Sequence, residues 1–97
     1  MKFNIVCLRP KKDFTDNGVK PPSIFDVIYF EKFNDKSVKL IQNADVLILP
    51  AVGEVIDTKV FEKSSIKLIQ VTGAGFDRVD EKKLRKLNTN VCNVTGV

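Results

Sequence analysis

Five short apolar segments alternate with longer polar segments along this chain, and they mark its candidate strands. These segments are residues 4–8, 26–30, 45–49, 66–71 and 91–94. Several are nearly continuous, without the in-and-out alternation of a strand that has one face in water. Strands that are covered on both faces have such runs, so the pattern indicates a parallel sheet.

The polar segments between the later strands have the pattern of amphipathic helices with recognisable first residues. Asp57 and Asp80 each precede such a segment and are predicted to be N-caps. A third helix is predicted to begin at Asn34 or Asp35 and to end at Asn43 in a left-handed conformation. Strand and helix therefore alternate over the second half of the chain.

The link between the first two strands is different, because it contains three prolines and Gly18. It is predicted to be a loop with at most a short helix near residues 23–25. Elsewhere the alternation repeats every ~20 residues, which is the spacing of βαβ units. Right-handed crossovers then give a flavodoxin-like, doubly wound sheet of five parallel strands in the order 2-1-3-4-5.

The length and the charge place the chain among ordinary globular domains. Its 97 residues fit one domain, and its apolar runs are far shorter than the ~18 residues of a membrane span. The first run is also too short for a signal peptide, so we expect a cytoplasmic protein. The net charge is +4, and most basic residues are interspersed with acidic ones, as on a solvated surface. The basic group at Arg9, Lys11 and Lys12 is interpreted as a solvated loop.

Side chains for covalent or metal chemistry are scarce in this sequence. It contains no histidine, which excludes a Ser-His or Cys-His nucleophile and a histidine base within the chain. Cys7 and Cys92 lie in apolar runs and have no metal-binding spacing. We expect two reduced thiols in the core rather than a disulfide.

The stretch VTGAG, residues 71–75, begins like a dinucleotide-binding loop, because Gly-x-Gly follows an apolar run and precedes a helical pattern. The full fingerprint needs a third glycine and a distal acid. Arg78 stands at the third position, and the next apolar run ends without a carboxylate. Two explanations for the glycines stay open: a sharp turn after the strand, or close approach of main-chain N–H groups to a small anion.

Residues 44–97 resemble the substrate-binding domain of the D-isomer-specific 2-hydroxyacid dehydrogenases. The most specific piece is KLIQVTGAGFDRVD, residues 67–80. Family members have a similar strand, then Gly-Ala-Gly, an aromatic or small residue, Asp, and a Val-Asp or Ile-Asp pair that opens a helix. The ending from Asn93 to Gly96 is similar to the family's Asn-x-x-Gly strand end, and the first 43 residues match only in outline.

The resemblance implies a substrate site made by two loops at strand ends. The substrate-contacting residues would be Ala51, Val52 and Gly53 in one loop and Thr72, Gly73, Ala74 and Gly75 in the other. Main-chain amides of the second loop would hold the substrate carboxylate, and the first loop would form the opposite wall. Many relatives have Arg-Ser at residues 50 and 51, where this chain has Pro-Ala, so a strongly anionic substrate is less supported.

The resemblance also implies that substrate binding and catalysis belong to different domains. Residues 1–97 would be a partial substrate-binding domain of a homodimeric enzyme that acts on a small 2-hydroxy or 2-keto acid. A Rossmann domain, in the same or a separate chain, would bind NAD or NADP and supply the catalytic residues, so we expect no cofactor binding and no turnover by this chain alone. The alternative is a stand-alone small-ligand or protein-interaction module with the same fold. The sequence that follows Val97 would decide between the two.

Overall fold

The computed structural model describes residues 2–30, 33–75 and 78–94. Strands and helices alternate along the whole of this part of the chain. In order they are β1 (Phe3–Cys7), α1 (Lys12–Thr15), β2 (Phe25–Tyr29), α2 (Asp35–Gln42), β3 (Val46–Leu49), α3 (Lys59–Glu62), β4 (Leu68–Val71), α4 (Glu81–Lys86) and β5 (Asn90–Cys92).

The five strands form one parallel sheet in the order β2-β1-β3-β4-β5. This confirms the fold class and the strand order predicted from the alternating pattern. The strands are also in step, since Ile5 pairs with Val46 and Val46 pairs with Leu68. The carboxyl ends of β1, β3 and β4 therefore meet at one edge of the sheet.

The two faces of the sheet are covered unequally by the described residues. One face packs against α2, α3 and α4 and forms the core. Its members include Leu47 and Ile69 from strands and Ile41, Phe61 and Leu84 from helices, all fully or almost fully buried. On the other face α1 lies over β1 and β2, with the Phe14 and Tyr29 rings 5.8 Å apart. That face is only half-buried at Ile48, Leu68 and Gln70. The sheet, which was predicted to be covered on both faces, is therefore fully covered on one face and partly on the other.

Local capping signals explain where two of the helices begin. The Asp80 carboxylate accepts a hydrogen bond from the Lys83 amide, which confirms Asp80 as the N-cap of α4. Asn34 caps α2 in the same way, and Ser37 completes a reciprocal capping box. The predicted start at Asp57 was wrong by one residue, because α3 begins at Lys59 with Thr58 as its N-cap. The Asp57 carboxylate still accepts from the Lys59 amide, as in an Asx-turn.

Two further local predictions were wrong. Asn43 ends α2 with φ of −102°, which is not left-handed, whereas Asn88 after α4 has φ of 60°. Residues 23 and 24 form a turn that leads directly into β2, and the short helix of this segment lies earlier, at α1. Packing of Phe14 on Tyr29 gives α1 a tertiary contact that the loop-like composition did not reveal.

The predictions for the basic group and for one cysteine also need correction. Lys12 is the first residue of α1, so the group at residues 9–12 is not simply a loop. Cys7 is buried as expected, but Cys92 is exposed because it lies on the edge strand β5, on the same face as the exposed Asn90. Both thiols are free.

Candidate functional site

Three loops leave the same edge of the sheet, and they form the candidate site. They follow β1 at residues 9 and 10, β3 at residues 50–54 (the β3 loop) and β4 at residues 72–75 (the glycine loop). Because β3 lies between β1 and β4, the β3 loop is flanked by the other two. Ligands of open parallel sheets bind beyond this edge, where the strand order reverses. Here the order reverses between β1 and β3.

The β3 loop and the glycine loop are in direct contact. A Cβ atom placed on Gly73 would lie 2.7 Å from the Cβ of Ala51, closer than any real pair of such atoms. The Thr72 amide also donates to the Leu49 carbonyl at 2.9 Å. The structure thus brings together the two loops that the sequence assigned to one site.

The carbonyl groups of the glycine loop are bonded to the segment that follows β5. The Val94 amide donates to the Gly73 carbonyl at 2.9 Å, and the Asn93 side chain donates to the Ala74 carbonyl. The amides of Gly73, Ala74 and Gly75 have no acceptor within residues 2–30, 33–75 and 78–94. The loop therefore has two occupied carbonyls and three main-chain donors that no described residue uses.

Arg78, which stands where the nucleotide fingerprint has its third glycine, ties the β3 loop to the segment after the glycine loop. Only 7% of its surface is exposed. Its Nε donates to the Glu54 carbonyl at 2.9 Å and its Nη1 to the Pro50 carbonyl at 3.4 Å. Its own carbonyl accepts from the Ile56 amide at 2.7 Å. The side chain thus links residues 50 and 54 across the mouth of their loop.

Gly53 lies against this guanidinium and has a backbone conformation that favours glycine. Its φ is +147°, and a Cβ there would lie 2.8 Å from the Arg78 Cζ and 2.9 Å from Nε. Burial lowers the pKa of the Arg78 guanidinium from its ordinary value, and the nearby Glu54 carboxylate opposes this shift. An arginine remains protonated in proteins nevertheless, so a positive charge is held inside the β3 loop.

The glycine loop departs from a dinucleotide-binding loop in two respects. The third-glycine position is filled by the buried Arg78 side chain. At the start of α4 the Asp80 carboxylate already accepts from the Lys83 amide, and this acid would repel a pyrophosphate there. Among the described residues no three His, Cys, Asp or Glu side chains gather as metal ligands.

Arg9 is a candidate site residue that the sequence interpretation missed. Its Nη1 donates to the Thr72 hydroxyl at 3.1 Å, and its Nη2 pairs with the Asp13 carboxylate at 3.1 Å. The only signal was its place at the end of β1, since the pairing with Thr72 spans 63 residues of sequence. Asn93 was noted as part of a motif but given no role, and it proves to bond the glycine loop.

The remaining predicted site residues differ in exposure. Val52 is 86% exposed, Ala74 and Gly53 are exposed, and Gly75 is half-buried. The motif residues Phe76, Asp77, Thr95 and Gly96 lie outside the described residues.

Burial raises the pKa of the Cys7 thiol, although a backbone hydrogen bond and the charge of Arg9 partly offset this. Cys7 is therefore a buried thiol whose thiolate form is disfavoured.

Comparison with known proteins identifies the family. The family model described as "D-isomer specific 2-hydroxyacid dehydrogenase, catalytic domain" matches residues 6–97. The chain belongs to this dehydrogenase family. The match extends beyond residues 44–97 to the last two residues of β1 and all of β2.

Solved structures of dehydrogenases have the same fold. The pyruvate reductase of Chlamydomonas reinhardtii superposes with a TM-score of 0.72 at 25% identity, over 98% of this chain and 30% of that one. The D-lactate dehydrogenase of Salmonella gives 0.69 at 19% identity, over 99% and 30%. The NAD⁺-bound 3-phosphoglycerate dehydrogenase of Entamoeba histolytica gives 0.61 at 22% identity, over 96% and 33%.

The chain thus spans 30–33% of the length of these three proteins. No curated protein sequence gives a significant match to it. Within the described residues, no helix has the length and apolar character needed to cross a bilayer.

Proposed function

We propose that this chain is the substrate-binding part of an NAD(P)-dependent oxidoreductase that acts on the CH–OH group of a D-2-hydroxy acid, or in reverse on the 2-keto acid. The observation that carries the proposal is the bonding of the glycine loop. Its carbonyls at residues 73 and 74 are occupied, whereas the amides of residues 73–75 have no described acceptor. Family membership supplies the class of reaction.

In this proposal the amides of Gly73, Ala74 and Gly75 bind the substrate carboxylate. Backbone N–H groups that converge in a concave loop make an anion site without a charged side chain. Because their positions are fixed by the strand and by the bonds to Asn93 and Val94, they need little reorganisation when the anion binds. Thr72 continues the loop toward Arg9, and Ala51, Val52 and Gly53 form the facing wall.

The proposed substrate is a small acid with one carboxylate. The β3 loop carries Pro50 and Ala51, which offer no charge to a second acidic group. Two of the structural relatives are a pyruvate reductase and a D-lactate dehydrogenase, and these names point to the same size of substrate. This assignment covers a class of acids and not one compound.

The redox chemistry belongs to another domain in this proposal. The chain has no histidine, its glycine loop has Arg78 in place of the fingerprint's third glycine, and Asp80 caps the helix that follows. NAD or NADP and the catalytic residues would come from a nucleotide-binding domain in the same or a separate chain of a cytoplasmic homodimer. The chain alone would neither bind NAD nor turn over substrate. A Gly-x-Gly-x-x-Gly encoded soon after Val97 would support this division, and a stop codon there would favour a stand-alone binding module.

The substitution Gly75→Val tests the site in an enzyme that joins this chain to such a nucleotide-binding domain. A branched side chain would lie where the carboxylate approaches, so we expect KM to rise and kcat to fall, together about 10²-fold for a displacement near 1 Å. Steady-state kinetics measure both constants, and circular dichroism checks folding. The control is Lys83→Ala on the exposed side of α4.

Two outcomes of this experiment separate the hypotheses for the glycines. If Gly75→Val folds and loses kcat/KM while Lys83→Ala keeps it, the loop binds substrate. If both variants match the parent enzyme, the glycines serve only the turn after β4, and the proposed substrate site is wrong.

A further inference from the structure

A cavity of about 330 Å³ lies at the carboxyl ends of β1 and β3, where the strand order reverses. Leu8, Phe33 and Val52 give it apolar walls, and Arg78 and Glu54 give it charges. Its volume is at the lower end of the range of small-molecule sites, and its place is the one where open parallel sheets bind ligands. It lies on the Arg78 side of the β3 loop, whereas Gly73 contacts this loop at Ala51.

The guanidinium of Arg78, which lines this cavity, has N–H groups without an acceptor among the described residues. Its Nε and one N–H of Nη1 are used on the carbonyls of residues 54 and 50. Nη2 has no acceptor and the side chain has no ion pair within residues 2–30, 33–75 and 78–94. Among the described residues the Glu54 carboxylate lies near the guanidinium but forms no ion pair with it, so an anion that accepts from Nη2 adds a charge-assisted hydrogen bond.

Gly53 keeps this edge of the guanidinium open. The position of a Cβ on residue 53 is 3.1 Å from Nη2, so any larger residue would cover the donor. Glycine thus allows two contacts at once: close packing of the loop on Arg78 and access to Nη2.

We infer that this cavity is a second anion site, in which Arg78 binds the carboxylate of a small organic acid whose apolar part contacts Leu8, Phe33 and Val52. The cavity shares Val52 and Gly53 with the wall of the substrate site proposed above, but its anion-binding group, Arg78, is not one of the proposed substrate-contacting residues. Glu54 lines the same cavity and is exposed, so its charge competes with the ligand without filling the site.

The test is a titration of the ¹⁵N-labelled chain with isovalerate, followed by nuclear magnetic resonance. Isovalerate carries one carboxylate and a branched apolar tail, and isovaleramide is its uncharged match. We expect saturable shifts of the Arg78 Nε–H and of the amides of Val52, Gly53 and Glu54 with isovalerate, and none with isovaleramide. Equal shifts with both compounds, or no saturable shift at these groups, would overturn the inference.

Three variants sharpen the titration. Arg78→Lys keeps a charge but loses the planar fork, and should weaken isovalerate about tenfold. Glu54→Gln removes the competing charge and should tighten binding about two- to threefold. Arg85→Lys, at an exposed arginine of α4, should change nothing. Unchanged affinity in Arg78→Lys would contradict the site; if Arg78→Lys fails to fold, unchanged or weaker binding by Glu54→Gln contradicts it.

The position of the shifts separates this inference from the proposed function. Isovalerate shifts confined to residues 73–75 would place its carboxylate on the glycine loop, which supports the substrate site and refutes the cavity. Shifts confined to the cavity would support the second site and leave the substrate loop to its own test.

Discussion

Gly53 and Gly73 follow neighbouring strands, but each must be glycine for a different physical reason. Gly53 has a positive φ of +147° and also packs on the guanidinium of Arg78. Gly73 has no such φ, and only the closeness of Ala51 forbids a side chain there. A glycine after a strand can therefore be required by its backbone conformation, by close contact between loops, or by both. The contact of Gly73 with Ala51 is the feature that brings the β3 loop and the glycine loop together.

The largest effect is expected for Gly53→Ala, because it breaks both requirements. The left-handed conformation costs a non-glycine residue about 1–2 kcal/mol, and the clash with Arg78 adds about 1–3 kcal/mol. We expect the free energy of unfolding to fall by about 2–5 kcal/mol, measured by urea denaturation. A loss below that of the other two glycine variants would contradict the double role of Gly53.

Gly73→Ala should cost less, about 1–3 kcal/mol, because it adds only an overpacked methyl group. Its cause can be tested directly, since the clash is with the Cβ of Ala51. The double variant Ala51→Gly/Gly73→Ala moves the methyl from one loop to the other and should recover most of the stability. A double-mutant cycle with no coupling between the two positions would show that the loops do not press on each other.

The smallest effect is expected for Gly18→Ala, which isolates the backbone contribution. Gly18 follows α1 with φ of +70°, and a Cβ there would meet no atom within 4 Å. The cost should be about 1 kcal/mol, from backbone strain alone. Thermal unfolding of Gly18→Ala beside Gly53→Ala then separates strain from packing; equal losses would mean that Arg78 does not constrain residue 53.

Sequence patterns predicted the parts of the fold that depend on local signals. The apolar runs and the alternation with helices gave the strand order, and the caps at Asn34 and Asp80 are short-range bonds. The course of residues 9–24 was predicted less well, because α1 depends on a contact between Phe14 and Tyr29. Composition alone does not reveal such a contact.

The candidate site also has parts that local sequence patterns predicted and parts that depend on contacts distant in sequence. The two loops were identified from the motif, and the contact of Gly73 with Ala51 shows that they adjoin. Arg78 was interpreted only as a missing glycine, because its partners are 24 and 28 residues away in sequence. Arg9 was missed for the same reason. Side chains that join loops across the sheet edge become visible only once the strand order is known.

The central claim is that main-chain amides of the glycine loop bind a carboxylate. The most direct measurement is a titration of the ¹⁵N-labelled chain with pyruvate, with pyruvamide as the uncharged match. The account predicts saturable downfield shifts of the Gly73, Ala74 and Gly75 amides with pyruvate alone, with Gly18 unchanged as the internal control. Absence of these shifts at saturating pyruvate, or equal shifts with pyruvamide, would contradict it.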